Sequence, residues 1–340
     1  MHRALVTGIA GFAGSHLAEH LIALGDVEVH GILRSPGRPS DAGPSQLPTI
    51  LYLGDLTERD FVRSVVERAK PDLVFHLAAQ ASVAAAWADP AGTFLNNVVG
   101  QVNLLDALVE LAPCARVLVV GSAEEYGLVR PEELPIGEEQ PFRPNNPYAV
   151  SKIGQDMLGY QYYVSRKLQV VRVRPFNHLG PRQRDEFVAA SFARQITEAE
   201  AGLRPPVVRV GNLDARRDFT DVRDVVGAYW LATTRGEPGE VYNVASGRSV
   251  SIRELLETLL GFSRRPLVVE QDPARLRPSD VPDLVGDASK LRRQTGWEPA
   301  RMLQETLRDT LDHWRKRIER SAANRQDRRA KPQMDADQSG

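Results

Sequence analysis

Cysteine and net charge are both scarce in this chain of 340 residues. Its one cysteine, Cys114, excludes an intrachain disulfide framework and any metal site built from several cysteines. Lys and Arg total 43 against 44 Asp and Glu, so the net charge is -1 and no broad basic field exists to attract nucleic acid. No apolar run approaches the roughly 20 residues that a membrane-spanning helix needs. The histidines lack metal-site spacings such as HExxH, so we expect no metal.

The composition that remains is that of a globular protein, with 42% hydrophobic and 26% charged residues. The chain runs from Met1 directly into an apolar strand pattern with no signal-peptide cleavage region, so we expect a cytoplasmic protein. Its basic residues are nearly all arginine, which we attribute to codon usage. Among the few lysines, Lys152 is the one with an expected chemical role.

Short apolar runs alternate with amphipathic stretches over most of the chain. Such alternation predicts an α/β fold with a parallel sheet covered on both faces. The expected strands are residues 4–6, 27–33, 50–53, 73–77, 117–120, 169–173 and 207–210. The expected helices are residues 12–24, 60–69, 94–111, 148–167, 188–201 and 303–318. We expect a sheet domain over residues 1–175, a smaller lobe over 176–319 with segments returning to the sheet domain, and a disordered tail over 320–340.

A glycine-rich turn lies between the first strand and the first helix. It contains Gly8, Gly11 and Gly14. Gly8 can adopt a left-handed turn, Gly11 lets backbone N–H groups approach a pyrophosphate, and Gly14 allows close packing of helix on strand. The helix N-terminus favours phosphate charge, so the turn predicts a dinucleotide site.

The residue that ends the second strand should select between NAD and NADP. No carboxylate is present there to hold a ribose 2′-hydroxyl; instead Arg34 follows the strand and Arg38 is near. This favours a 2′-phosphate and therefore NADP(H), with NAD(H) as the alternative. Asp55, after the third strand, either meets the adenine amine or begins the next helix after Thr57.

A tyrosine and a lysine spaced for one helix face form the candidate catalytic pair. Tyr148 and Lys152 stand at i and i+4, where an ammonium would lower the pKa of the phenol. Such a tyrosine can exchange a proton with a carbinol or carbonyl oxygen while hydride moves at carbon. Ser122 follows the fifth strand, at the edge where open α/β sheets place ligands.

These features, together with Asn97 in the fourth helix, resemble the short-chain dehydrogenase/reductase superfamily in its extended, epimerase/dehydratase branch. The resemblance runs from residue 4 to about residue 314. It implies a Rossmann-type doubly wound parallel sheet with a smaller C-terminal lobe that binds a nucleotide sugar, a nicotinamide cofactor and a homodimer formed through residues 98–111 and 153–163. The implied cofactor contacts are Gly8, Ile9, Gly11, Phe12, Ala13, Gly14, Arg34, Asp55, Leu56, Leu77, Ala78, Ala79, Asn97, Tyr148, Lys152 and Pro175.

Within that branch, four stretches are most similar to the GDP-6-deoxy-D-lyxo-4-hexulose reductases, with the GDP-mannose 4,6-dehydratases as close relatives. The stretches are GSAEEYG (121–127), RPFNHLGP (174–181), VGNLDARRDFTDVRD (210–224) and RPSDVP (277–282). The resemblance implies NAD(P)H-dependent reduction of the C4 ketone of GDP-4-keto-6-deoxy-D-mannose to GDP-D-rhamnose. In that reaction Tyr148 is the general acid, Lys152 lowers its pKa and Ser122 orients the oxygen.

A dehydratase remains the main alternative. That reaction needs a base at sugar C5, and Glu124 stands where the resemblance places it; its other roles would be a polar loop residue or a ligand of a substrate hydroxyl. The sequence between Gly11 and Gly14, Phe12-Ala13, matches the reductases, whereas the dehydratases usually carry Gln-Asp. We therefore favour the reductase. Dual activity and another nucleotide-sugar epimerase or dehydratase stay open.

Substrate contacts are implied for Ser122, Glu124, Asn177, Arg217 and Arg277. The two arginines suit a diphosphate, because a guanidinium forms paired hydrogen bonds with phosphate oxygens. Guanine as the base rests on the resemblance alone.

Overall fold

The computed structural model describes residues 1–34, 47–275 and 281–330, with side chains described as far as residue 321. The chain divides into two compact units. The first comprises Met1–His178, Asp214–Ser251 and Pro278–Leu303, and the second Leu179–Leu213, Ile252–Arg277 and Gln304–Gly340. Compactness assigns no role to either unit, so the functional division at residue 175 stays a prediction.

Seven parallel strands form the main sheet of the first unit. They are β1 (His2–Thr7), β2 (Val27–Leu33), β3 (Thr49–Leu53), β4 (Leu73–His76), β5 (Arg116–Val120), β6 (Gln169–Pro175) and, further along the chain, Val241–Val244. Their order across the sheet is Val241–Val244, β6, β5, β4, β1, β2, β3. This is the Rossmann order with an added strand, and it confirms the predicted fold class.

Helices cover both faces of this sheet. They are α1 (Phe12–Ala23), α2 (Arg59–Ala69), α3 (Val83–Ala88), α4 (Pro90–Phe94), α5 (Gly100–Leu111) and α6 (Pro147–Arg166). On one face α1 packs with the later helix Val222–Arg235, while α2, α5 and α6 cover the other. Leu17 and Phe75 lie in the core of the first face, and Leu104 and Val117 in that of the second. Each fully buried side chain of this kind contributes about 1.5–3 kcal/mol.

The order of the strands reverses between β1 and β4, and this places the site. In register, Thr7 at the end of β1 pairs with Ile32 of β2 on one side and His76 of β4 on the other. Because the strands are parallel, the segments after β1, β4, β5 and β6 leave the sheet at the same edge. Ligands of open α/β sheets bind at such an edge.

Short strands form two smaller sheets. The strands of these sheets are β7 (Asn177–Leu179), β8 (Val207–Val210), β9 (Arg216–Asp221), β11 (Ser249–Ser251), β12 (Val268–Gln271) and β13 (Asp283–Leu284). The strand Val241–Val244 of the main sheet is β10. β9 lies between β11 and β13 and also pairs with β7. In the second unit β8 and β12 pair in parallel. The remaining helices are α7 (Val188–Glu200), α8 (Val222–Arg235), α9 (Ile252–Gly261), α10 (Ser289–Thr295) and α11 (Leu303–Ala330).

Two predicted helices differ from the structure. The helix expected over 94–111 is divided, because a π-helical turn, Leu95–Val99, separates α4 from α5. The last helix, expected to end at residue 318, continues to Ala330, so the first half of the predicted tail is helical; residues 331–340 lie outside the described residues. Among the described residues, no helix is both long enough and apolar enough to cross a membrane.

Candidate active site

The glycine turn is shaped by three positions that a side chain would obstruct. Gly8 has φ +72°, and a Cβ there would lie 2.9 Å from the Ala78 nitrogen. A Cβ on Gly14 would lie 2.1 Å from the Gly8 oxygen, and Gly11 forms the N-cap of α1. The result is a cradle of bare backbone at a helix N-terminus, which fits the pyrophosphate of a dinucleotide.

The residues expected at the adenosine end have protein partners in the structure. Arg34, directly after β2, donates to the Asn96 Oδ1 at 3.1 Å. The Asp55 carboxylate accepts from both the backbone N–H and the hydroxyl of Thr57, each at 2.9 Å. Asp55 thus orders the turn before α2, and its contact with the adenine amine stays a prediction. Arg38 lies outside the described residues.

Asn97, within the π-helical turn, holds the segment after β4 against the tyrosine helix. Its Oδ1 accepts from the Gln80 N–H at 2.7 Å, and its Nδ2 donates to the Gln80 carbonyl and to the Ser151 hydroxyl. The side chain is fully buried. Such turns often mark functional sites, and here the amide connects the expected cofactor segment Leu77, Ala78 and Ala79 to α6.

The N-terminus of α6 brings the tyrosine to the serine. Asn146 caps the helix by accepting the Ala149 N–H at 2.8 Å, and Pro147 occupies the first turn. Tyr148 follows directly, and its phenol hydrogen-bonds the Ser122 side chain. The structure thus brings together two hydroxyl groups that the sequence places 26 positions apart.

The pKa of Tyr148 is shifted opposite to the expected direction. Burial raises it well above its ordinary value, Glu124 and Glu125 raise it further, and only the hydrogen bond from Ser122 opposes them. The predicted net lowering of this pKa is therefore wrong for this structure, because desolvation of the phenolate outweighs the contacts that favour it. The phenol is a proton donor at neutral pH.

Lys152 is buried one turn along α6 from the tyrosine. Its Nζ donates to the Val120 carbonyl at 2.5 Å and to the Gln155 Oε1 at 2.6 Å. Burial lowers its pKa to about 8, although the carboxylates of Glu125 and Asp156 favour the ammonium. The lysine is therefore held by neutral acceptors at the carboxyl end of β5.

Glu124, the candidate base, lies beside the helix cap. Its Oε2 accepts from the Asn146 Nδ2 at 3.1 Å, and its backbone N–H donates to the Ser122 hydroxyl at 3.2 Å. The carboxylate is half-buried. Its position next to Ser122 allows either a substrate contact or proton transfer.

A buried ionic cluster below Ser122 was missed by the sequence analysis. Glu125 accepts the Ser122 N–H at 2.7 Å, and Asp156 accepts from both Arg172 and Arg174. Burial and the neighbouring Asp156 raise the pKa of Glu125 well above its usual range, whereas the two arginines hold that of Asp156 low. Glu125 thereby fixes the backbone that carries the serine. Arg172 and Arg174 alternate with valines in strand β6, and two cations in such a strand were the signal that could have predicted buried acidic partners.

The residues expected to bind the substrate differ in their exposure and in their protein partners. His178 stacks on Phe12 of the glycine turn, with centroids 5.7 Å apart and planes within 4°, while Asn177 before it is exposed. On β9, Arg217 Nη1 donates to the carbonyls of Arg216 and Val281 at 2.8 and 2.6 Å. Arg277 lies outside the described residues.

No group of three or more His, Cys, Asp and Glu side chains could hold a metal ion within residues 1–34, 47–275 and 281–321.

A family model and curated relatives match nearly the whole chain. The family model described as GDP-mannose 4,6 dehydratase matches residues 5–310. The GDP-6-deoxy-D-mannose reductase of Pseudomonas aeruginosa is 39% identical over 316 residues, which cover 93% of this chain and 98% of that protein. The GDP-mannose 4,6-dehydratase of Vibrio cholerae is 31% identical, covering 89% of this chain and 91% of that protein.

A solved structure has the same fold over nearly the whole chain. RMD from Pseudomonas aeruginosa, complexed with NADPH, superposes with a TM-score of 0.80 at 37% identity, covering 93% of this chain and 100% of that one. The fold that the sequence predicted is thus one that binds a nicotinamide dinucleotide in a relative.

Proposed function

We propose, from the premise that the chain belongs to the GDP-mannose 4,6-dehydratase family, that it is a cytoplasmic NAD(P)H-dependent reductase. Its substrate is GDP-4-keto-6-deoxy-D-mannose, and its product is the C4 alcohol GDP-D-rhamnose. The observation that carries this proposal is the hydroxyl pair of Tyr148 and Ser122, with a protonated phenol, at the sheet edge beside the glycine turn. The similarity to a GDP-6-deoxy-D-mannose reductase supports the choice of substrate.

The residues of this chain perform the proton half of the reaction. A bound nicotinamide supplies the hydride that adds to C4. As the carbonyl π bond opens, Tyr148 donates its proton to O4, so the ketone becomes an alcohol and the phenol a phenolate. Ser122 donates a hydrogen bond to the same oxygen and fixes its orientation. The Lys152 ammonium lies in the next turn and stabilises the phenolate that results.

NADPH is the cofactor we propose over NADH. Arg34 is held at the end of β2 by Asn96, in the place where a ribose 2′-phosphate would need a positive charge. The glycine cradle accommodates the pyrophosphate of either dinucleotide, so the choice between them falls to this arginine.

A few individual arginines are proposed to bind the sugar nucleotide. Arg217 and Arg277 are proposed to bind the diphosphate, and Asn177 and Glu124 the sugar. Arg217 is already oriented by two backbone carbonyls, which lowers the entropy cost of binding an anion.

The dehydratase is the second candidate, and Glu124 favours it. The Asn146 amide holds this carboxylate next to Ser122, where a C5 base would be required. Against it stands the stack of Phe12 on His178, because a Gln-Asp pair at the turn would replace that ring.

We also propose a homodimer formed through one face of α6 and the helical turn before α5. Val150, Tyr160 and Val164 expose 42%, 47% and 47% of their surface along α6, and Leu95 and Val99 expose 51% and 41%. Apolar side chains at helical spacing on a solvent face fit a second copy of the same face.

Substrate choice separates the two candidate reactions. The purified protein is incubated with GDP-4-keto-6-deoxy-D-mannose plus NADPH, with the same ketosugar plus NADH, and with GDP-mannose alone, while the ultraviolet absorbance of the reduced nicotinamide is followed. The proposal predicts loss of NADPH only with the ketosugar and slower loss of NADH. Formation of ketosugar from GDP-mannose alone would identify a dehydratase.

The same assay tests the catalytic tyrosine. Tyr148→Phe removes the acid and should lower kcat by about 100-fold or more, while NADPH binding changes little. Tyr163→Phe, on the same helix, is the matched control and should keep the wild-type kcat. Comparable rates for Tyr148→Phe and wild type would overturn the assignment.

A further inference from the structure

The lysine of the catalytic pair stands at one end of a chain of buried polar side chains. Beyond Lys152 Nζ, the Gln155 amide nitrogen lies 3.1 Å from His76 Nε2, and His76 Nδ1 lies 2.8 Å from the Thr7 hydroxyl. Gln155 and Thr7 are fully buried, His76 is 1% exposed and Lys152 3%. A buried polar group that loses its partner is destabilising, so each member of this hydrogen-bond chain needs its neighbours.

Hydrogen-bond chemistry fixes the direction of every link. An ammonium only donates, so the Gln155 oxygen faces Lys152 and its NH₂ group faces His76. An NH₂ group cannot accept, so His76 Nε2 carries the lone pair and the ring proton lies on Nδ1. That N–H then donates to the Thr7 oxygen.

The far end of the chain is the glycine turn. The Thr7 oxygen also accepts the Ala78 N–H at 3.1 Å, and Thr7 directly precedes Gly8. The same Ala78 nitrogen is the atom that a Cβ on Gly8 would approach to 2.9 Å. The cofactor cradle and the catalytic lysine therefore share one continuous set of hydrogen bonds.

We propose that Gln155 and His76 are positioning residues that hold the Lys152 ammonium at the Tyr148–Ser122 pair and couple its placement to the glycine turn. This proposal depends on the proposed function in one respect, namely that Lys152 acts on Tyr148 and on the cofactor. The hydrogen-bond chain itself is present in the protein without substrate.

The first test reads the histidine tautomer directly. In protein labelled with ¹⁵N in its histidines, long-range proton–nitrogen correlations distinguish an Nδ1–H ring from an Nε2–H ring, and loss of the signal in His76→Asn assigns it. We expect the Nδ1–H form at neutral pH. An Nε2–H ring or an imidazolium in the wild-type protein would overturn the chain.

The second test reverses one link. In Gln155→Glu both side-chain oxygens accept, so His76 Nε2 has to gain a proton to face the carboxylate. The expected signature is protonation at Nε2; an unchanged tautomer would contradict the assignment.

The third test measures the activity of a Gln155 variant. Gln155→Met keeps the size of the side chain but removes both hydrogen bonds, and we expect kcat to fall about 10-fold or more with KM for the ketosugar within about twofold, because a misplaced catalytic group slows the chemical step.

Gln101→Met is the matched control. Gln101 is equally buried and donates to the Gln155 backbone carbonyl at 2.7 Å, and the hydrogen bonds of Lys152 and His76 in the described part of the chain do not include it. It should keep both kcat and the tautomer. Equal kcat losses in Gln101→Met and Gln155→Met would reduce the effect to general packing and overturn the proposal. The tautomer of His76 is measured without substrate, so the two proposals can fail separately. An Nε2–H ring in a fully active reductase would refute only the hydrogen-bond chain. An Nδ1–H ring in a protein without reductase activity would refute only the proposed function.

Discussion

At the scale of single residues, His76 is the side chain whose protonation burial changes most clearly. Burial, together with the nearby Lys152 charge, lowers its pKa from 6.5 to about 3. In the native protein the imidazole therefore stays neutral over the whole range in which an unfolded histidine takes up a proton.

This difference predicts how stability depends on pH. Between about pH 6.5 and 3 the unfolded state binds a proton that the native state does not, so the free energy of unfolding falls as the pH falls, by up to about 1.4 kcal/mol per pH unit. In His76→Asn that contribution is absent, and urea unfolding curves recorded from pH 7 to 4 should give a flatter dependence. His2→Asn, at an exposed position, is the control. Identical slopes for His76→Asn and wild type would contradict the account of His76.

Residues differ in how far the sequence alone reveals their roles. Tyr148 and Lys152 could be paired because i and i+4 share a helix face. Ser122 could be added because it follows β5 at the carboxyl end of the sheet. The partnership of Glu125 with Asp156 could not, because the contact joins a loop to the middle of a helix. The direction of the Tyr148 pKa was also out of reach, since desolvation depends on packing that spacing does not contain.

At the scale of elements, the turn between β1 and α1 depends on the absence of side chains. Gly14→Ala would place a Cβ 2.1 Å from the Gly8 oxygen, a backbone atom that cannot rotate away. We expect the free energy of unfolding to fall by about 1–3 kcal/mol and NADPH binding to be weakened. Chemical denaturation and calorimetric titration measure the two effects.

The control for this substitution has the opposite expected sign. Gly227 lies inside α8 with nothing within 4 Å of its would-be Cβ. Gly227→Ala should raise the free energy of unfolding by about 0.5–1 kcal/mol and leave NADPH binding unchanged. Destabilisation by Gly227→Ala equal to that of Gly14→Ala would show that the turn is not special.

The exposed face of α6 makes a prediction about assembly. Val164→Glu places a charge within the proposed interface and should convert a dimer to a monomer in light-scattering chromatography, because a buried unpaired charge opposes association. Leu203→Glu, at an exposed apolar position of the second unit, should leave the assembly unchanged. A wild-type protein that is already monomeric would refute the interface.

An interruption within a helix cannot be predicted from the spacing of apolar residues. Apolar spacing over residues 94–111 is continuous, so the sequence predicts one helix. Asn97 within the π-helical turn bonds to Gln80 and Ser151, and such tertiary hydrogen bonds cannot be seen in the apolar pattern.

At the scale of the whole molecule, the alternation of strands and helices was sufficient to predict the fold. All six strands expected from residue 4 to residue 173 are present in one parallel sheet, in an order that puts the glycine turn, Ser122 and Tyr148 at one edge. The choice between the two reactions was harder to predict from the sequence than the fold. A reductase and a dehydratase need the same tyrosine, lysine and cofactor, so the difference falls on Glu124 and on the residues between Gly11 and Gly14.

The near-neutral charge of the molecule agrees with a small anionic ligand. With a net charge of -1 the protein offers no broad attractive field, and the proposed site relies on individually placed side chains such as Arg34 and Arg217. Recognition by individual arginines also predicts geometric selectivity, since a guanidinium fork matches phosphate oxygens in a fixed plane.

Transfer of hydrogen to C4 of the sugar is the central claim, and isotope labelling tests it most directly. The protein is incubated with GDP-4-keto-6-deoxy-D-mannose and NADPH that carries deuterium at both C4 positions of the nicotinamide, and the product is examined by NMR. The account predicts GDP-D-rhamnose with deuterium at sugar C4 and an unlabelled C6 methyl group, and loss of this product in Tyr148→Phe. Oxidation of NADPH without deuterium at C4, or conversion of GDP-mannose to the ketosugar with no reduction of the ketosugar, would contradict it.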